Sequence, residues 1–104
     1  MALIKSCLAS GGGGYDIIEL KNVHTVGGTY NDITVTADVG DYLVLNNSDA
    51  SSTISGGAYI EETTEISITG ALKIYKVVTA MTSQSVRVLM AGGNGGSVLQ
   101  IRTA

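Results

Sequence analysis

Ile33-Thr34-Val35-Thr36-Ala37-Asp38-Val39-Gly40-Asp41-Tyr42-Leu43-Val44-Leu45 is the stretch that decides the fold. Its first five residues alternate, with Ile33, Val35 and Ala37 on one face and threonines on the other, the period of a half-buried strand. Asp38-Val39-Gly40-Asp41 then has the composition of a chain reversal. Tyr42-Leu43-Val44-Leu45 is apolar on both faces, so it reads as a central strand covered on two sides. Strand, tight turn and central strand within thirteen residues leave no room for a helix.

The same grammar extends outward. Glu65-Ile66-Ser67-Ile68-Thr69, with Ile66 and Ile68 inward, and Val86-Arg87-Val88-Leu89-Met90 repeat the alternation, and Leu99-Gln100-Ile101-Arg102 closes the chain with it. Leu72 to Val78 loses phase near Lys76, which predicts a bulge or rim position there. Gly56-Gly57 between Thr53-Ile54-Ser55 and Ala58-Tyr59-Ile60 predicts a two-residue hairpin, and Gly27-Gly28 a second. Asn46-Asn47-Ser48-Asp49 and Thr69-Gly70-Ala71 are further reversals, and Gly92 to Gly96 links the last two strands. Val, Ile and Thr together number 31 of 104 residues, side chains that suit a pleated sheet. The expected fold is an all-β, antiparallel β-sandwich or jelly-roll-like domain of eight to nine short strands.

Gly11-Gly12-Gly13-Gly14 interrupts this pattern near the start. Four consecutive glycines make a hinge, which divides the chain into an arm and hinge, residues 1–14, and a β-sandwich domain, residues 15–104. The arm carries Leu3, Ile4 and Leu8, too few apolar groups to fold alone. Ordering ten residues costs about 1–2 kcal/mol each, while burying three aliphatic side chains returns about 1.5–3 kcal/mol apiece. Single-arm docking through these side chains alone therefore falls short of that cost. Strand addition to a neighbouring sheet, or many copies acting together, tips the balance. The first residues have no apolar run long enough for a secretory signal, so no export is expected.

Composition excludes more than it asserts. One cysteine, Cys7, rules out an internal disulfide, and one histidine, His24, rules out a histidine-cluster metal centre within one chain. A net charge of −3 argues against nucleic acid as partner, and no apolar run is long enough to span a bilayer as a helix. Neither glycine-rich stretch leads into the helix that a phosphate cradle needs. His24 would have to serve as the only base beside a serine nucleophile, without a Gly-x-Ser-x-Gly elbow. Glu61 and Glu62 are adjacent on a strand, so they point to opposite faces and cannot flank one glycosidic bond. The chain is expected to be non-enzymatic and to need no cofactor.

Two weaker site readings remain. Asp38, Asp41 and Asp49 sit at turns, where their oxygens would suit calcium, though Asp is an ordinary turn residue whatever the function. All five aromatics are tyrosines (Tyr15, Tyr30, Tyr42, Tyr59, Tyr75), suited either to core ends or to stacking on a sugar ring. Charge is also segregated. Residues 32–72 hold seven acids and no Lys or Arg, whereas Lys73, Lys76, Arg87 and Arg102 follow without an acid. Either the two segments balance one another inside the fold or they meet across a subunit contact.

Met1-Ala2-Leu3-Ile4-Lys5-Ser6, then Gly11 to Gly14, then strands ending in Gly95-Gly96-Ser97-Val98-Leu99-Gln100-Ile101-Arg102-Thr103-Ala104 form a layout. In that layout the chain resembles, end to end, the small virion proteins of tailed bacteriophages. The resemblance implies a structural protein of the virion that forms homo-oligomers, often trimers. It also implies docking by the arm on another virion protein, with capsid decoration the favoured role. A tail-associated module binding a host glycan or protein is the alternative. A small metal-dependent or hydrolytic enzyme is the third reading.

Overall fold

A computed structural model describes residues 14–23, 30–47, 51–90 and 96–103. The described residues form eight strands: β1 (Tyr15–Val23), β2 (Tyr30–Ala37), β3 (Tyr42–Asn46), β4 (Thr53–Ser55), β5 (Ile60–Glu62), β6 (Lys73–Val77), β7 (Met81–Leu89) and β8 (Gly96–Thr103). They make two antiparallel sheets. One has five strands in the order β1-β8-β3-β6-β5, the other three in the order β2-β7-β4. The expected all-β antiparallel sandwich is thus the fold. The arm and hinge expected at residues 1–14 lie outside the described residues apart from Gly14.

The facing surfaces hold the main core: Val35 and Ala37 of β2, Leu43 and Leu45 of β3, Ile54 of β4, Tyr75 and Val77 of β6, Met81, Val86 and Val88 of β7, and Val98 of β8. Tyr42-Leu43-Val44-Leu45 is central, paired with β6 on one side and β8 on the other, and all four side chains are buried. Its outward pair explains a second, smaller core. Tyr42 and Val44 join Ile74, Leu99 and Ile101 on the outer face of the five-stranded sheet, with Tyr15, Leu20, Ile66, Ile68 and Ala71 packed against them. The segment from Thr63 to Leu72 straps this face. Backbone bonds from Thr63 to Ile74 and from Leu72 to Leu45, both 2.9 Å, pin its ends.

Three local expectations need correcting. Glu65–Thr69 forms no strand; Ile66 and Ile68 do turn inward, but from the irregular strap. Gly56-Gly57 does not close a hairpin, because β4 pairs with β7 and β5 with β6 in the other sheet. The glycines instead lead into a 3-10 turn, Gly57–Tyr59, that crosses between sheets. The hairpin expected at Gly27-Gly28 lies outside the described residues. Pairing around Lys76 is regular on both sides. The irregularities lie elsewhere. Ile18 is an extra residue in β1 opposite β8. A second extra residue lies in β7, where Ser83 has φ +47 and its N–H donates to Thr36 Oγ1 at 2.9 Å.

Cross-sheet contacts fix how the layers overlap. Gln100 of β8 donates to the Thr36 carbonyl of β2 at 3.1 Å, so β8 lies over β2. Ile54 N–H of β4 donates to the Tyr75 hydroxyl of β6 at 3.1 Å, and Lys73 Nζ reaches the Ser52 carbonyl at 2.9 Å, so β6 lies over β4. Five strands over three therefore leave β1 and β5 overhanging, one at each side.

Candidate functional site

The expected acidic turn sits at one end of the sandwich. Asp41 N–H donates to the Asp38 carbonyl at 3.0 Å with Gly40 at φ +96, the type II arrangement in which the third residue favours glycine. Gly40 N–H to the Val77 carbonyl and Val77 N–H to the Asp41 carbonyl fasten the turn to β6. The fixed backbone directs the Asp41 side chain inward, where it is 1% exposed.

Four donors converge on that carboxylate. Arg102 Nε lies 2.7 Å from Oδ1 and Nη2 2.9 Å from Oδ2, a two-pronged contact. Gln100 Nε2 and the Asp38 N–H each reach Oδ2 at 3.0 Å. Arg102 also meets Asp38 at 3.2 Å. Burial pushes the Asp41 carboxyl up, but the bonds from Arg102, Asp38 and Gln100, together with the Arg102 charge, outweigh it. The net result holds Asp41 below its ordinary value. The hydrogen bond and charge of Asp41 raise Arg102 in turn.

Of the calcium candidates, Asp38 and Asp41 therefore share the Arg102 guanidinium, and Asp49 lies outside the described residues. Among the described residues no three His, Cys, Asp or Glu side chains cluster as a metal site. Chemically the arrangement is a clasp. It joins the end of β2, the entry of β3 and the end of β8, which are parts of both sheets. Gln100 and Arg102 are the members that a reading of turns alone misses. Their signal is a polar pair in phase with Val98, on the face turned toward the other sheet.

Three ion pairs show where the segregated charges go. Lys76 lies 3.1 Å from Glu65, Arg87 3.3 Å from Asp32, and Arg102 on Asp41. In each, the basic carboxyl-terminal third meets the acidic middle within one chain. Glu65 also accepts from the Tyr42 hydroxyl at 3.4 Å, and burial, then the Glu65 charge, raises Tyr42.

The tyrosines divide by position. Tyr75 is buried in the main core, where burial raises its hydroxyl; Tyr42 is buried on the outer face, and Tyr15 and Tyr59 are half-buried. Tyr30 differs, at 56% exposed, with the Arg87 guanidinium 5.4 Å from its ring centre and Asp32 beside it. Among the described residues the two most exposed isoleucines are Ile17 and Ile18, neighbours on β1 at 43% and 41%. Leu3, Ile4, Leu8, the glycines of the hinge from Gly11 to Gly13, Cys7 and His24 lie outside the described residues. No helix among the described residues is long and apolar enough to cross a membrane. No family model, curated protein or solved structure matches this chain.

Proposed function

We propose that this chain is a non-enzymatic structural protein that works by association with copies of itself and attaches to a larger assembly through residues 1–14. Its setting is the virion of a tailed bacteriophage, with capsid decoration as the favoured role. The observation that carries the reading is β1, a nine-residue edge strand that follows the glycine hinge and leaves Ile17 and Ile18 exposed. Edge strands of this length normally carry protection against pairing, and adjacent exposed isoleucines are what an association surface offers. The test is deletion of residues 1–14. The body is expected to keep its cooperative melt while incorporation into particles is lost, and unchanged incorporation would refute attachment by the arm.

A second reading, recognition of a host glycan, rests on Tyr30. Its open ring beside Arg87 and Asp32 combines an aromatic surface with polar groups able to meet hydroxyls. Binding on a glycan array that disappears in Tyr30→Ala would support it, and a blank array would set it aside.

A further inference from the structure

We infer that a second copy of this chain pairs antiparallel along the free edge of β1, about a two-fold axis between Ile18 and Glu19. The inference rests on the assembly reading above and names its surface.

The other edges offer less. Strands β4 and β5 are three residues each, and the 3-10 turn joining them is tied down by bonds from Val78 and Thr79 to the Tyr59 carbonyl. Strand β2 is long, but β8 lies over it and β1 overhangs its open side. A second copy added coplanar to β2 would drive its own β8 into the space that β1 occupies. The edge of β1 faces no strand among the described residues and has no such roof.

The bulge sets the centre about which this strand is self-complementary. Register with β8 places Tyr15, Ile17, Leu20 and Asn22 on the outer face, opposite Thr103, Ile101, Leu99 and Ser97. Asp16, Glu19 and Lys21 lie on the inner side, opposite Arg102, Gln100 and Val98. Ile18 is the extra residue between Ile17 and Glu19. The faces of Tyr15, Asp16 and Ile17 therefore mirror those of Asn22, Lys21 and Leu20 about a centre between Ile18 and Glu19. Antiparallel pairing about that centre sets Ile17 against Leu20 of the second copy on the outer face. It sets Asp16 against Lys21 of the second copy on the inner face, and each match occurs twice.

Charge fits as well as shape. Asp16, Glu19 and Lys21 are the charged residues of β1. Lys21 already lies 3.1 Å from Glu19 of its own strand, and the pairing adds Asp16 of the second copy on its other side. The exposed Ile17 gains an apolar neighbour and continues the outer-face core across the axis. Opposite-charge and apolar cross-strand pairs are what stabilise antiparallel neighbours.

The test is sedimentation velocity of the full chain over a concentration series, with Asp16→Lys, Lys21→Asp and the double exchange. The wild type is expected to sediment as a dimer. Each single reversal sets like charges opposite at two places and is expected to weaken dimerisation by about tenfold or more. The double exchange restores opposite charges and is expected to return the affinity to within about threefold of wild type. Circular-dichroism melts check that the variants fold, since both side chains lie at the surface. A wild type that stays monomeric throughout overturns both the pairing and the assembly reading. Self-association that ignores all three variants overturns the β1 pairing while leaving assembly standing.

Discussion

Replacing Asp41 by Asn tests the clasp that joins the two sheets. The substitution keeps the shape of the side chain but removes its charge and turns an NH2 group toward donors. Wild-type Asp41 accepts from Arg102 Nε and Nη2, Gln100 Nε2 and the Asp38 N–H, all between 2.7 and 3.0 Å, at a site 1% exposed. Hydrogen bonds involving a charged partner contribute about 1.5–3 kcal/mol each when buried. Arg102 keeps 41% of its side-chain surface in water and can rehydrate, so its contacts count for less than that range. An amide still accepts one or two of the four bonds while its NH2 opposes another donor. The expected loss is about 3 kcal/mol, against about 5–15 kcal/mol of total stability for a domain of this size. Urea unfolding followed by far-ultraviolet circular dichroism measures it directly.

The same variant carries a pH signature. The Asp41 carboxyl titrates below its unfolded value, so its contribution is complete above about pH 4, near the unfolded pKa. It is lost as pH falls through the lower folded pKa. The wild type should therefore lose stability steeply below about pH 4, and Asp41→Asn should lose less over that range. Two results would refute the reasoning: a variant within about 0.5 kcal/mol of wild type at neutral pH, or an acid limb parallel to wild type.

Two further substitutions test the packing. Gly96→Ala should be severely destabilising, because a Cβ there collides with the Asn46 carbonyl oxygen and lies 3.1 Å from Met90 Sδ. Backbone cannot yield as a side-chain tip can, so the start of β8 must move; a melting temperature within a few degrees of wild type would contradict this. Leu99→Ala should cost about 2–5 kcal/mol, the range for a buried leucine, even though Leu99 faces away from the other sheet. Chemical denaturation giving less than about 1 kcal/mol would mean that the strap does not make a true core of that face.

How much of this was legible in the sequence depends on whether local pattern or distant partners decide. Tyr42-Leu43-Val44-Leu45 announced a central strand because both of its faces are apolar, and the structure buries both. That two-sided burial also misled. In β6, Ile74 and Tyr75 are buried on opposite faces, so alternation is lost and a regular strand looks bulged. One of the two real bulges follows Ile17, where two consecutive isoleucines show little to a reader of periodicity. Gly56-Gly57 has hairpin composition, but whether its flanking strands pair is decided by β6 and β7, not by the turn. Asp41 showed the same limit. Its turn was visible, whereas the guanidinium that occupies its carboxylate comes from a residue 61 positions along the chain. Composition reports an acid at a turn, and topology decides which cation it meets.

The mismatch between five strands and three has a consequence for how association would proceed. Any segment that orders on binding pays about 1–2 kcal/mol per residue, which for a ten-residue arm exceeds what three aliphatic side chains return. Strand β1 is in a different position. It is already held along its length by β8, and its Asp16 lies opposite Arg102, whose side chain the Asp41 clasp fixes. Its backbone is therefore ordered before a second copy arrives, so pairing there avoids most of that cost. The overhang that exposes β1 also roofs β2, which confines pairing to one edge. A sandwich with equal sheets would expose long edges at both layers and invite pairing without a defined stop. Among the described residues each chain presents one long ordered open edge, and the proposed two-fold pairing would consume it in both copies. That geometry closes the contact on itself. Growth beyond a pair would then need a different surface, and the proposed arm contact, multiplied by the number of copies, would be of the kind that becomes strong only in an assembly.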